Sequence, residues 1–171
     1  MNKRIRFLTT SAMIAALYVV LTLLAAALGL SSGAIQVRFS EALCLLPCFT
    51  TAAIPGLFFG CLIANFFTGT IWDVVLGSLA TLLGALGTYW LRKWPILATL
   101  PPIIANALVI PFVIALASEM SLSSLDLFVQ SLPVLAGFAA TVGLGEVISC
   151  GVLGLLLYPV LNRYKNDIFT V

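Results

Sequence analysis

The stretch EALCLLPCFTTAAIPGLFFGCLIANFFTGT, Glu41 to Thr70, decides how this chain folds. It is about 30 residues long, and its only charge is Glu41 at its first position. A helix needs ~20 apolar residues to cross ~30 Å of hydrocarbon. The stretch is therefore too long for one span and short for two. Pro55-Gly56 sits near its middle, and both residues interrupt helices. The reading is two short helices, about 41–54 and 55–69, with a re-entrant pair as the alternative.

The rest of the chain sets the solvent. Apolar residues make up 62% of the 171 positions and charged residues 8%, where a soluble domain carries roughly 25% charged. So few charges cannot cover a water-facing surface, so the chain reads as a single integral membrane domain, 1–171, with lipid as solvent. Phe7–Leu28, Trp72–Leu91, Ile96–Ser118 and Thr141–Leu161 are each long enough to span. The first follows a basic N-terminus as a signal peptide does, but it exceeds the ~7–15 residues of a signal core and is read as a retained helix.

Parity then selects among topologies. Lys and Arg gather in three clusters, Lys3/Arg4/Arg6, Arg92/Lys93 and Arg163/Lys165, and such clusters mark the cytoplasmic side. One helix over 41–70 would put the last two clusters outside. Two spans or a re-entrant pair keep all three inside. The expectation is an all-α protein with six transmembrane helices and both termini cytoplasmic. EMSLSSLDLFVQ, 119–130, is then external, and 131–140 either packs outside or extends the last span.

The remaining polar groups lie in the outer half. At ~1.5 Å per residue, Asp73 is roughly 28 Å and Glu146 roughly 25 Å from the basic anchors that follow them, and Asn106 is about 20 Å beyond Lys93. Asn65 falls two-thirds along an outward-running short helix, and Gln36, Arg38 and Glu41 follow the outer end of the first crossing. An ionisable group at mid-membrane costs ~2.5–3.5 kcal/mol on insertion scales and usually faces a partner or a wet cavity. A pocket open to the outside accounts for all of them together. Taken singly, most have a plainer reading, and Glu146, among apolar and small neighbours, is the hardest to dismiss. Arg38 and Glu41 also fit a surface ion pair at i, i+3, Asp73 a helix N-terminal charge, and the two asparagines interhelical hydrogen bonds.

Other chemistries lack their residues. There is no histidine, and the four cysteines lie in apolar runs as small packing residues, so neither metal nor disulfide is expected. The scattered basic residues exclude a nucleic-acid footprint. No Walker A sequence, nucleophile elbow or HExxH is present, so the chain reads as no enzyme and carries no ATP site. Ala12-x-x-x-Ala16 and Gly56-x-x-x-Gly60 permit close helix approach.

IQVRFSEALCLLP (35–47), GLFFGCLIAN (56–65), WDVVLGSLATLLGA (72–85) and LGEVISCGVLGLLLYP (144–159) resemble the queuosine-precursor transporter family, QueT. The resemblance runs along nearly the whole chain and is least diagnostic over 94–140. It implies a substrate-binding (S) component of an energy-coupling-factor (ECF) transporter in the bacterial plasma membrane. Such a component captures its ligand outside and docks on a transmembrane coupling subunit driven by two ATPases. ATP is then used by the partners, and this chain holds no cofactor. Ala12 and Ala16 match the motif that meets the coupling subunit in such transporters.

The implied ligand is a deazaguanine, such as the cyano or aminomethyl queuosine precursor, or queuine. Its two parallel N–H donors suit a carboxylate, with Glu41 and Glu146 as candidates. Arg38 or Gln36 would donate to the carbonyl, Trp72 or Phe39 would stack on the ring, and Asp73 would meet an aminomethyl cation. Asn65 and Asn106 complete the candidate set. The competing readings are an S component for another vitamin or nucleobase, a stand-alone gradient-driven carrier, and a structural membrane protein that binds no small molecule.

Overall fold

The computed structural model describes residues 2–30, 37–118 and 125–169. Among these there is no β-strand. Helix α1 is Lys3–Ala27, capped by the Asn2 side chain, which accepts from the Arg4 amide. Helix α2, Phe39–Cys48, is a 3₁₀ helix, and α3 is Ala53–Thr68. Helix α4 is Asp73–Trp90 and opens with a π-helical turn, Asp73–Gly77. Helix α5 is Leu97–Ala117. Helix α6 runs without a break over 125–168 through a π-helical segment, Val147–Leu153.

Four of these helices are long and apolar enough to cross a membrane: α1, α4, α5 and the Gln130–Lys165 part of α6. The sequence boundaries for the first three hold to within a few residues. The 131–140 segment extends the last span instead of packing as a separate helix. Residues 119–124 of the expected external loop lie outside the described residues. At 16 residues α3 covers ~24 Å, and α2, with 10 residues at the 3₁₀ rise, covers ~20 Å.

The break between the short helices falls at 49–52, not at Pro55-Gly56 as the sequence predicted. Pro55 sits in the first turn of α3, where the missing N–H would have had no intrahelical partner anyway. Gly56 and Gly60 serve packing. A Cβ on Gly56 would come within 2.8 Å of the Ser11 carbonyl oxygen, and one on Gly60 within 2.8 Å of Tyr18 Cβ. The absence of those side chains lets α3 lie directly on α1.

Contacts along the chain fix direction. The Ser40 hydroxyl accepts from Thr22, and the Ala52 carbonyl accepts from Ser11, so α2 returns antiparallel to α1. Gly56 and Gly60 then climb past Ser11 and Tyr18. Asn106 meets Glu146, and the Cys150 thiol meets the Thr99 carbonyl oxygen, so α6 returns antiparallel to α5. Phe49 packs on Tyr158 and Phe169. The basic clusters therefore gather at one end of the bundle, and Arg38, Asp73 and Thr68 gather at the other.

The core follows from this order. Ile14 and Tyr18 of α1 meet Leu43 and Leu46 of α2, Leu57 and Cys61 of α3, and Ala85 of α4. Ile110, Val113 and Val142 form a second cluster between α5 and α6. The many exposed large apolar side chains, such as Leu8, Phe66, Leu83 and Leu156, ring the outside, as lipid-facing positions do.

Candidate functional site

At the end away from the basic clusters, a cavity of about 390 Å³ opens among α1, α3, α4 and α5. Its polar lining is Thr22, Arg38, Thr68, Thr70, Asp73 and Ser118, and its apolar lining includes Ala26, Ile110, Val113 and Ile114. A ligand pocket of small-molecule size has about this volume and this mixture. A smaller space of about 10 Å³ adjoins it, lined by Arg38, Asn106, Ile110, Val142 and Glu146. Arg38 and Ile110 border both.

Arg38 precedes α2 in extended conformation. Its backbone amide donates to the Ser149 hydroxyl at 3.1 Å, inside the π-helical segment of α6. Its side chain pairs through Nη2 with Asp73 Oδ2 at 3.4 Å. The i, i+3 pair with Glu41 does not form. Asp73 stands at the start of the α4 π turn, only 7% exposed. The Asn65 amide donates to its backbone carbonyl at 3.0 Å. Asn106 on α5 donates to Glu146 Oε1 at 2.8 Å. Asp73 Oδ1 and Glu146 Oε2 have no hydrogen-bond partner. Buried unpaired carboxyl oxygens are costly, and both belong to residues that line one of the two spaces.

Glu41 lies one layer deeper and lines neither space. It is 1% exposed. The Tyr18 hydroxyl donates to its Oε1 at 2.5 Å and the Cys44 thiol to its Oε2 at 2.8 Å, which engages both oxygens. Behind them the Thr81 hydroxyl meets Cys61 Sγ at 3.2 Å. The result is a polar layer, Tyr18, Glu41, Cys44, Cys61 and Thr81, buried at the base of the site.

Of the residues expected from sequence, Arg38, Asp73, Asn106 and Glu146 converge on these two spaces. Asn65 supports Asp73 from behind through its backbone. Phe39 is half-buried, and Trp72 is 46% exposed; neither lines the cavity. Gln36 lies outside the described residues. Ala12 and Ala16 are exposed on α1, and Ala12 borders a groove of about 290 Å³ with Phe7, Ser11, Pro55 and Phe59. Sequence reasoning missed Tyr18, Cys44 and Ser149, along with the threonine lining of Thr22, Thr68 and Thr70. Thr22 lies four residues after Tyr18, on the same face of α1. That spacing was the only sequence signal available for the pair.

Apolar helices of spanning length around an open cavity of mixed polar and apolar lining define a multi-pass protein of the bacterial cell membrane. The model of the QueT transporter family matches residues 8–163, and the chain belongs to that family. It is 41% identical over 75 residues to the queuosine precursor transporter QueT of Lactococcus lactis subsp. cremoris strain MG1363. That alignment covers 44% of this chain and 44% of that protein, so it spans less than half of the relative. No solved structure matches.

Proposed function

We propose that the protein binds a queuosine precursor, a deazaguanine, in the 390 Å³ cavity and acts as the S component of an ATP-driven importer. The observation that carries this reading is the meeting of Asp73 and Arg38 on one cavity at the end away from the basic clusters, with Glu146 in a small space that Arg38 also borders. By the positive-inside rule those clusters are cytoplasmic, so the cavity faces outward, with α2 and α3 completing six membrane helices. Asp73 meets the ligand's N–H donors inside the cavity, and Glu146, in the small adjoining space, faces Arg38 instead of the ring. Glu41 braces the wall behind them instead of touching the ligand. The exposed Ala12 and Ala16 face of α1 meets a coupling subunit, and two ATPases supply the energy.

Reconstitution tests this. Uptake of a labelled deazaguanine into proteoliposomes is expected only when coupling and ATPase subunits and ATP are present. Uptake by this chain alone overturns the component reading and leaves a stand-alone carrier. Binding of another vitamin or nucleobase, with no deazaguanine binding, overturns the ligand assignment.

A further inference from the structure

Arg38 contacts one carboxyl group and borders a space lined by a second. It reaches Asp73 through one nitrogen at 3.4 Å, well beyond the ~2.7–2.9 Å of a strong charge-assisted bond. It also borders the small space that Glu146 lines. Its backbone is tied to Ser149, one helical turn after Glu146, so the root of the side chain is fixed beside that carboxyl. Asp73 and Glu146 are each 7% exposed, and each keeps one oxygen unpaired. Asn106 is neutral, and Glu41 is occupied by Tyr18 and Cys44. One guanidinium can match only one of these two carboxyl groups at a time, and ionising both without a second cation would leave an unmatched buried charge, which is unfavourable.

We propose that the ligand supplies that second cation: a positive group on the ligand pairs with Asp73, and Arg38 turns away to pair with Glu146. The exchange gives each carboxyl group a cation, where before only Asp73 had one. Arg38 already borders the space beside Glu146, so the exchange asks for a side-chain rotation and no movement of the backbone that Ser149 holds. This rests on the deazaguanine reading above and narrows it to the form bearing a protonated primary amine. The neutral nitrile form offers Asp73 no charge and leaves Arg38 where it is.

The test uses the full chain purified in detergent and two ligands that share the ring, the aminomethyl and the cyano deazaguanine. Titration calorimetry is expected to show the amine at least tenfold tighter. Asp73→Asn brings the ratio near one. Glu146→Gln lowers it several-fold, because Arg38 loses its destination. Equal or tighter binding of the nitrile by the parent overturns the proposal. So does a ratio that survives both substitutions. If a variant fails to fold, the parent's ratio alone decides. If neither deazaguanine binds, the ligand assignment falls, and a matched amine and nitrile pair on another bicyclic ring is compared by thermal shift. Stabilisation by the amine alone then supports the cation exchange, and indifference overturns it.

Discussion

Tyr18→Phe isolates the polar layer beneath the cavity. Tyr18 is fully enclosed, and the substitution keeps its ring and its packing against Gly60. What is lost is the 2.5 Å hydrogen bond to Glu41 Oε1. Glu41 is then left with the Cys44 thiol, a weak donor. A hydrogen bond to a charged acceptor is worth about 1.5–3 kcal/mol net. At ~2–4 °C per kcal/mol for a chain of this length, the apparent melting temperature should fall by roughly 3–12 °C. The protein carries its own reporter, because Cys44, Cys61 and Cys150 are buried and a thiol-reactive dye lights up as they are exposed. Replacing both partners, Tyr18→Phe with Glu41→Met, removes donor and acceptor together and should recover most of the loss, since paired apolar replacement is close to neutral. Ligand affinity should change little in either variant, because Glu41 lines neither space. A single variant as stable as the parent, or a double variant that loses the sum of the single losses, refutes the assignment of Glu41 as a braced structural carboxyl.

Two further outcomes follow from the packing. Gly60→Ala forces a methyl against Tyr18 Cβ and the Ala15 backbone and should cost about 1–3 kcal/mol, read as a lower melting temperature in the same dye assay. In the folded protein a maleimide should label Cys48, which is half-buried, well before the three buried cysteines, and mass spectrometry of digested fragments checks the order.

How much of this was legible beforehand depends on the kind of signal. Span boundaries are set by where charge stops an apolar run, and such boundaries need no tertiary knowledge. Arg92 and Lys93 ended α4 where the sequence said they would. The turn between α2 and α3 lies before the position the sequence predicts because Pro55 reads as a breaker, whereas a proline in a first turn breaks nothing. Depth counting put Asp73 and Glu146 at one level because rise per residue is nearly constant, and Arg38 borders both of the spaces they line. Counting along a helix gives height and not direction around the axis. That is why an Arg38–Glu41 pair remains an open alternative in the sequence although Arg38 pairs with Asp73 in space. Tyr18 was illegible for a related reason: a lone tyrosine in an apolar helix reads the same whether its hydroxyl faces headgroups or a buried carboxyl.

The two π-helical segments supply the missing direction, and one of them can be edited. Asp73 opens the first, and Glu146 immediately precedes the second. A π turn holds one residue more than an α turn, so it rotates everything before it by ~100° relative to everything after it. In α4 that rotation lets Asp73 face the cavity while Ser78 and Thr81 stay buried. Val75 lies within the turn and is 51% exposed, so removing it takes little from the core. Deleting Val75 should restore plain α-helix and swing Asp73 out of the cavity, with the rest of α4 keeping its packing. The expected result is a protein that still purifies as a folded species but binds the amine ligand no better than Asp73→Asn does. Val75→Ala, which keeps the residue count, should bind as the parent does. If the deletion binds like the parent, the π turn is not what presents Asp73, and the counterion exchange built on that placement loses its geometric basis.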